Sequence, residues 1–192
     1  MEQRRSGVIL DIAFFVITAI WLLEFVFFRD RKPSGGTKRE KRSFYWIVAA
    51  LVFTIGASVM SREASFLVFP ETTGMHLTGL VVYALGVALR YWGILELGKM
   101  FSRDVAVESS VDLVSSGPYR KLRHPLYTAI LLCVTGICLF MGSIIGLLSI
   151  AVTVVPALLA RMIIEERMLA GELGNGYKSW CQKRYRFIPY LY

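Results

Sequence analysis

No Asp, Glu, Lys, Arg or His appears between Pro125 and Ala160. As one straight helix this stretch would be about 50 Å long, well beyond a hydrocarbon core of about 30 Å. It must therefore turn back on itself. Met141-Gly142-Ser143 supplies the small, flexible residues for the tip, giving two short crossings, 126–140 and 144–160, with Pro156 expected to kink the second. Three further apolar runs can cross: 8–28, 44–60, which holds no charge, and 77–97, which carries Arg90 and Glu96 near its end. The chain is thus expected to be an all-α integral membrane protein of about five transmembrane helices. It ends in a short helical hairpin, then a cytoplasmic helix and tail over 161–192. Composition agrees. Mean hydropathy is +0.54, and only 19% of residues are charged, against roughly a quarter in soluble domains.

The charges are bunched, and the bunching fixes an expected orientation. Arg29–Arg42 holds seven Lys or Arg, while Ser61–His76 carries only Arg62, Glu63 and Glu71. The polar stretch Lys99–Arg123 and the tail after Arg161 are also basic. Five crossings put the three basic regions on one side, the cytoplasm, with the N-terminus outside; Arg4 and Arg5 run against this scheme. The net charge of +8 suits topology and anionic head groups rather than nucleic acid. Residues 8–28 are read as a retained span, because the run is long, holds Asp11 and Glu24, and lacks a cleavage site. Cys133, Cys138 and Cys181 have neither disulfide-framework nor metal-ligand spacing, so no metal is expected. The chain reads as one membrane domain, 1–192.

Phosphate-binding glycine loops, a GxSxG elbow and an HExxH pair are all missing from the sequence. Two polar clusters flank the hairpin instead. In the first, Gly117-Pro118 makes a turn and His124-Pro125 opens a span, which places Arg123 and His124 at the membrane surface with Tyr127 one turn inside. Interfacial anchoring accounts for each of these residues singly. Their density beside a helix N-terminus, which attracts anions, argues for more. The second cluster is Arg161, Glu165 and Glu166, where the last crossing emerges. Arg161 and Glu165 are spaced for a simple i,i+4 pair. Adjacent glutamates point about 100° apart on a helix, so at least one is expected to face the hairpin partner. Gly174 is expected to stop this helix. Gly79, Gly86 and Gly93 mark a small-residue face for packing within or between chains, and the oligomeric state is left open.

GPYRKLRHPLYTAILL (117–132), followed by EERMLAGELGNGYKSW (165–180) and RFIP (186–189), resembles the isoprenylcysteine carboxyl methyltransferase family in its short prokaryotic form. The family pattern runs GxYxxxRHPxYxG, an apolar hairpin, EExxLxxxFGxxYxxY and a basic-aromatic-proline element. Leu113-Val114, Leu97-Gly98 and Phe101-Ser102 also fit, so the resemblance covers about 90–189, which it marks as the catalytic half. Ala129 stands where the family has glycine, and Trp180 replaces the second tyrosine; both bear on substrate shape more than on cofactor binding.

The resemblance implies an S-adenosylmethionine-dependent methyltransferase with its cofactor between the hairpin and the cytoplasmic helix. It places Arg123, His124, Pro125, Leu126, Tyr127, Glu165 and Glu166, with Tyr119 and Tyr177, around that cofactor. Arg186 is implied as the residue that orients an acceptor carboxylate, and Arg90, expensive to hold inside a span, is a second candidate. A lipid-like substrate, foremost an isoprenylcysteine, would enter sideways from the bilayer while cofactor enters from the cytosol of a prokaryotic inner membrane. Three alternatives stand beside this: a phospholipid or other amphiphile N-methyltransferase, an NADPH-dependent sterol-type reductase, and a membrane scaffold without turnover.

Overall fold

The computed structural model describes residues 2–27, 38–98 and 113–187. Residues 28–37, 99–112 and 188–192 lie outside the described residues; they include most of the first basic loop, Phe101-Ser102 and Pro189. Helices α1 (Glu2–Phe27), α2 (Lys38–Glu63) and α3 (Thr73–Leu97) are followed by a single 3₁₀ turn at Gly117–Arg120 and by α4 (Pro125–Phe140). Then α5 (Ile144–Ser149) runs through one π turn, Ile150–Val154, into α6 (Val155–Gln182). The only β pairing among the described residues is two isolated bridges.

The protein is an all-α membrane protein. Four helical stretches are long and apolar enough to cross: Gly7–Glu24, Arg42–Glu63, Thr73–Leu97 and the continuous Ile144–Gln182; Pro125–Phe140 is a shorter apolar helix. Their outer surface is apolar in the way only lipid tolerates, with Phe15 69%, Val52 67% and Val152 75% exposed. Inside, small polar groups satisfy one another. Thr54 meets Thr153 and Ser149 at 3.2 Å, and Ser58 meets the Cys138 thiol at 3.3 Å, tying α2 to the hairpin.

The chain reverses where its glycine and serine allow it. Gly142 takes φ +68°, and the Ser143 hydroxyl caps α5 by accepting from Gly146 N at 2.9 Å. The tip is also held from outside, because Phe69 N donates to Gly142 O at 2.8 Å and Ile144 N to Leu67 O at 3.0 Å. Hairpin tip and α2–α3 loop therefore form one end of the bundle. The irregular backbone expected at Pro156 is the π turn immediately before it; proline has no N–H to give and its ring crowds the preceding turn.

The tightest packing joins α3 to α4. A Cβ on Gly86 would stand 2.7 Å from both the backbone N and Sγ of Cys133, one on Gly93 would stand 2.7 Å from Leu126, and one on Gly79 would meet the backbone of Phe140. Glycines rising by seven along α3 thus face residues falling by seven along α4, the repeat that suits two antiparallel helices crossing at a shallow angle. The small-residue face is used within the chain. Beside this seam, α1 is attached to α3 by polar contacts as well. Arg90, 8% exposed, grips the fully buried Glu24 with two nitrogens, Nη2–Oε1 at 2.7 Å, and Tyr83 donates to Thr18 at 3.2 Å.

α6 bends at Gly174 (φ 54°, ψ −125°), but helix resumes to Gln182, so the expected stop is a break within a longer helix. From Ile144 to Gln182 the stretch has 39 residues, about 58 Å, so its C-terminal part stands beyond a core of about 30 Å.

Candidate active site at the junction of the hairpin and the last helix

The two ends expected to meet do meet. Pro125 is the first residue of α4, where a missing N–H costs nothing, and it holds His124 out of the helical conformation (φ −125°, ψ 59°). His124 is buried and points its Nε2 at Glu166 Oε1, 3.1 Å away. One turn into α4, the Tyr127 hydroxyl donates to Glu165 Oε2 at 2.8 Å. Consecutive glutamates on α6 thus take consecutive turns of α4, which the 100° offset between neighbours allows. The i,i+4 spacing of Arg161 and Glu165 does not describe what holds Arg161: this buried guanidinium reaches α2, donating to Ser43 Oγ at 2.8 Å, and it neighbours the Tyr127 hydroxyl.

Glu166 is the electrostatic centre. Arg186 presents its planar edge to both oxygens, Nε–Oε1 at 3.0 Å and Nη2–Oε2 at 2.6 Å, the two-point geometry that guanidinium and carboxylate favour. Arg123 Nη1 adds a second cation at 3.5 Å. One carboxylate, 17% exposed at its side chain, therefore faces two guanidinium groups and an imidazole. Glu165 is different. Only its Oε2 is hydrogen-bonded among the described residues, and its side chain is 27% exposed.

Arg186 comes from the tail, which returns to the start of the hairpin. Arg123 N donates to Tyr185 O at 2.8 Å and Tyr185 N to Lys121 O at 2.9 Å, a short bridge between the two segments. Thr128, one turn inside α4, donates to Phe187 O at 2.6 Å, and the Phe187 ring is buried in the core formed by α2, α4 and α6. Arg123 also donates to Cys181 O at 3.0 Å and Arg184 O at 3.1 Å, neutralising carbonyls at the end of α6. Its place at the interface thus has a structural reason as well as an electrostatic one.

Several contributors carry no motif signal. Arg184 donates to Tyr119 O at 2.6 Å and lies over the Trp180 ring, 4.4 Å from its centroid. Glu96 accepts from Ser116 and from Trp92, and its carboxylate packs so closely on Gly117 that a Cβ there would lie 2.5 Å away; with φ +52° the turn takes glycine on both counts. Thr128 had one available signal, a hydroxyl inside an apolar span. The implied residues divide in space. Arg123, His124, Tyr127, Glu165, Glu166 and Arg186 are in mutual contact, with Pro125 shaping the corner and half-buried Leu126 packed on Gly93. Tyr119 is buried in the 3₁₀ turn. Tyr177 stacks on Trp180 at 5.9 Å, and its buried hydroxyl lacks a hydrogen-bond partner; the Cys181 thiol beside it is at most a weak one. Arg90 is engaged with Glu24 of α1 and lies near Tyr119, outside the cluster around Glu166.

The phospholipid methyltransferase family matches residues 75–175, just over half of the chain and the part that contains both halves of the junction. A probable protein-S-isoprenylcysteine O-methyltransferase of Oryza sativa subsp. indica is 22% identical over 145 residues, 73% of this chain and 76% of the relative. The protein-S-isoprenylcysteine O-methyltransferase of Schizosaccharomyces pombe is 26% identical over 175 residues, 90% and 68%. Enzyme B of that name from Arabidopsis thaliana is 28% identical over 115 residues, 59% and 58%. Sequence motif, helical membrane architecture and family match agree: the chain belongs to the phospholipid methyltransferase family of membrane enzymes and is akin to its isoprenylcysteine carboxyl methyltransferases.

Proposed function

We propose that the chain methylates a lipid-linked acceptor in the membrane with S-adenosylmethionine as donor, the acceptor being the carboxylate of an isoprenylcysteine-like molecule. The observation that carries this is the direct contact of His124 and Tyr127 on α4 with Glu166 and Glu165 on α6, closed by Arg186 from the tail. The donor carries a carboxylate, an ammonium, a ribose diol and an adenine, and the side chains suit them. The unused oxygen of Glu165 can accept from an ammonium or a diol. The buried, unpartnered hydroxyl of Tyr177 is a donor waiting for an acceptor, a costly arrangement in a protein with nothing to bind there. When bound, the cofactor supplies a methyl group made electrophilic by its sulfonium.

The remaining work belongs to the chain. An acceptor carboxylate is ionised at neutral pH, so no side chain needs to remove a proton. What is needed is alignment, and holding two reactants in line is worth several kcal/mol of barrier. Arg186 has the planar fork for orienting a carboxylate and already holds one, Glu166. For it to meet the acceptor, it shares or exchanges that partner. His124, wedged between Pro125 and Glu166, keeps the corner rigid.

Calorimetric titration of the detergent-solubilised protein with S-adenosylhomocysteine tests the cofactor; no binding at millimolar ligand refutes it. Incubation with methyl-labelled donor, a membrane lipid extract and a prenyl-cysteine analogue tests the acceptor. The family's own description keeps an amine acceptor as a second reading. An amine must lose a proton to be methylated, so that reaction slows as pH falls through the amine's titration, whereas carboxylate methylation stays level well below neutrality.

A further inference from the structure

At the end of the bundle opposite His124, the α2–α3 loop and the hairpin tip enclose a cavity of about 370 Å³. It lies a full helix length from the junction, since the 16 residues of α4 rise about 24 Å between them. The volume is in the range of small-molecule sites, and its polar groups are a complementary set. Arg62 is anchored by one nitrogen on the Met141 carbonyl at 3.3 Å, with Nη2 3.2 Å from Glu71. His76 sits half-buried with its ring 5.4 Å from that of Phe140, and its imidazole makes no hydrogen bond with the described residues. Phe69 and Met75 supply apolar wall between these polar groups.

The ion pair and the histidine have different standing. Glu71 has a side chain 73% exposed, so its pairing with Arg62 is a solvent-facing contact worth little and easily rearranged. Arg62 is fixed from behind and half-open in front. A cation and an imidazole that can donate, with an exposed carboxylate held 3.2 Å from the cation by a contact that is easily opened, match a ligand that is anionic at one end and carries N–H donors at the other. The surroundings identify the phase it comes from. Phe66 and Leu67, next to the cavity in the chain, are 62% and 48% exposed, and the helices entering the loop are apolar-faced spans, so the mouth lies at head-group depth.

We propose that this cavity binds the head group of a zwitterionic phospholipid bearing a primary ammonium, with phosphate on Arg62 and His76 and ammonium on Glu71. It is distinct from any acceptor site at the junction and is independent of the methyl-transfer reading. A purely anionic head group would meet Glu71 unfavourably, and a trimethylated one would offer it no N–H. The bound lipid would cement the loop to the hairpin tip, since Arg62 and Glu71 come from the loop region and Met141 from the tip.

The full chain, purified in detergent, is titrated with short-chain phosphatidylethanolamine, phosphatidylglycerol and phosphatidylcholine, and bound lipid is counted by native mass spectrometry. One phosphatidylethanolamine per chain is expected, held about tenfold tighter than the other two. Arg62→Gln and His76→Gln should each weaken it about tenfold, and Glu71→Gln should erase the preference over phosphatidylglycerol. Circular dichroism and gel filtration verify folding; His76→Gln and Glu71→Gln leave the Arg62–Met141 contact in place should Arg62→Gln misfold. Displacement by millimolar glycerophosphoethanolamine would assign the site to the head group alone, and failure to displace would assign it to a head group presented on acyl chains. Equal occupancy by all three lipids, or occupancy unchanged in both Arg62→Gln and His76→Gln, overturns the proposal.

Discussion

Replacing Glu166 by Gln preserves shape and removes one charge from the most crowded electrostatic point in the protein. The amide keeps one acceptor oxygen. If that oxygen stays among His124, Arg123 and Arg186 Nε, the new NH2 group faces Arg186 Nη2, and the 2.6 Å contact becomes donor against donor. One hydrogen bond to a charged group is then lost outright, two others lose their charge assistance, and the Arg123 ion pair is lost. A single such bond is worth about 1.5–3 kcal/mol. Solvent reaches 17% of the side chain and softens the change, so about 2 kcal/mol is the expected loss in docking of the tail. That corresponds to roughly 30-fold more frequent opening of residues 184–187. Hydrogen–deuterium exchange reads it directly at two amides that bridge the segments, Arg123 N to Tyr185 O and Tyr185 N to Lys121 O. Arg186→Gln should produce a similar loss, and the two substitutions together little more than either, because both remove the same interaction. Unchanged protection in Glu166→Gln, or losses that simply add, would refute the reasoning.

Other outcomes follow from the packing and the buried polar groups. Gly86→Ala pushes a methyl onto the backbone of Cys133, which cannot step aside, and should destabilise by about 1–3 kcal/mol despite alanine's helix propensity. Gly56→Ala on α2, with open space around it, should be neutral or stabilising by up to about 1 kcal/mol; thermal unfolding in detergent compares the pair. Tyr177→Phe removes a buried hydroxyl with at most the weak Cys181 thiol as a partner among the described residues, so melting of the ligand-free protein should hold or rise while calorimetric affinity for S-adenosylhomocysteine falls about tenfold. Arg90→Met removes the two-nitrogen grip on the buried Glu24 carboxylate and should lower stability, by up to about 3–5 kcal/mol, in the same melting assay. Pairing it with Glu24→Met should restore most of the loss.

The elements that could be read from sequence are those whose physics is local. A charge-free run too long for one crossing has to reverse, Gly142 and Ser143 say where, and His124-Pro125 says where the next helix begins. Contacts between distant segments were legible only as far as motif resemblance reached. The proximity of the Glu165–Glu166 pair to His124 came from resemblance, and the structure brings them within 3.1 Å. Nothing in the order of residues announces that Arg90 has Glu24 for a partner, that Arg161 crosses to Ser43, or that the tail docks through main-chain bonds and Thr128. Such pairings depend on which helices are neighbours, information absent from any single segment's periodicity. Gly174 was half legible: its positive φ breaks the helix where a stop is expected, and a second helical stretch then resumes to Gln182.

The seven-residue register between α3 and α4 limits how the molecule can breathe. Two rods meshed at three levels, against backbone at Gly79 and Gly86 and against the Leu126 side chain at Gly93, leave little room for one to slide or tilt past the other. His124 and Tyr127 therefore stand on a fixed post. Were the proposed cofactor to enter here, room for it would come from the opposite wall, where α6 is broken at Gly174 and the tail is laced on by a few bonds. The wall built on α4 is cast in place, and the wall built from α6 and the tail is the one with room to give.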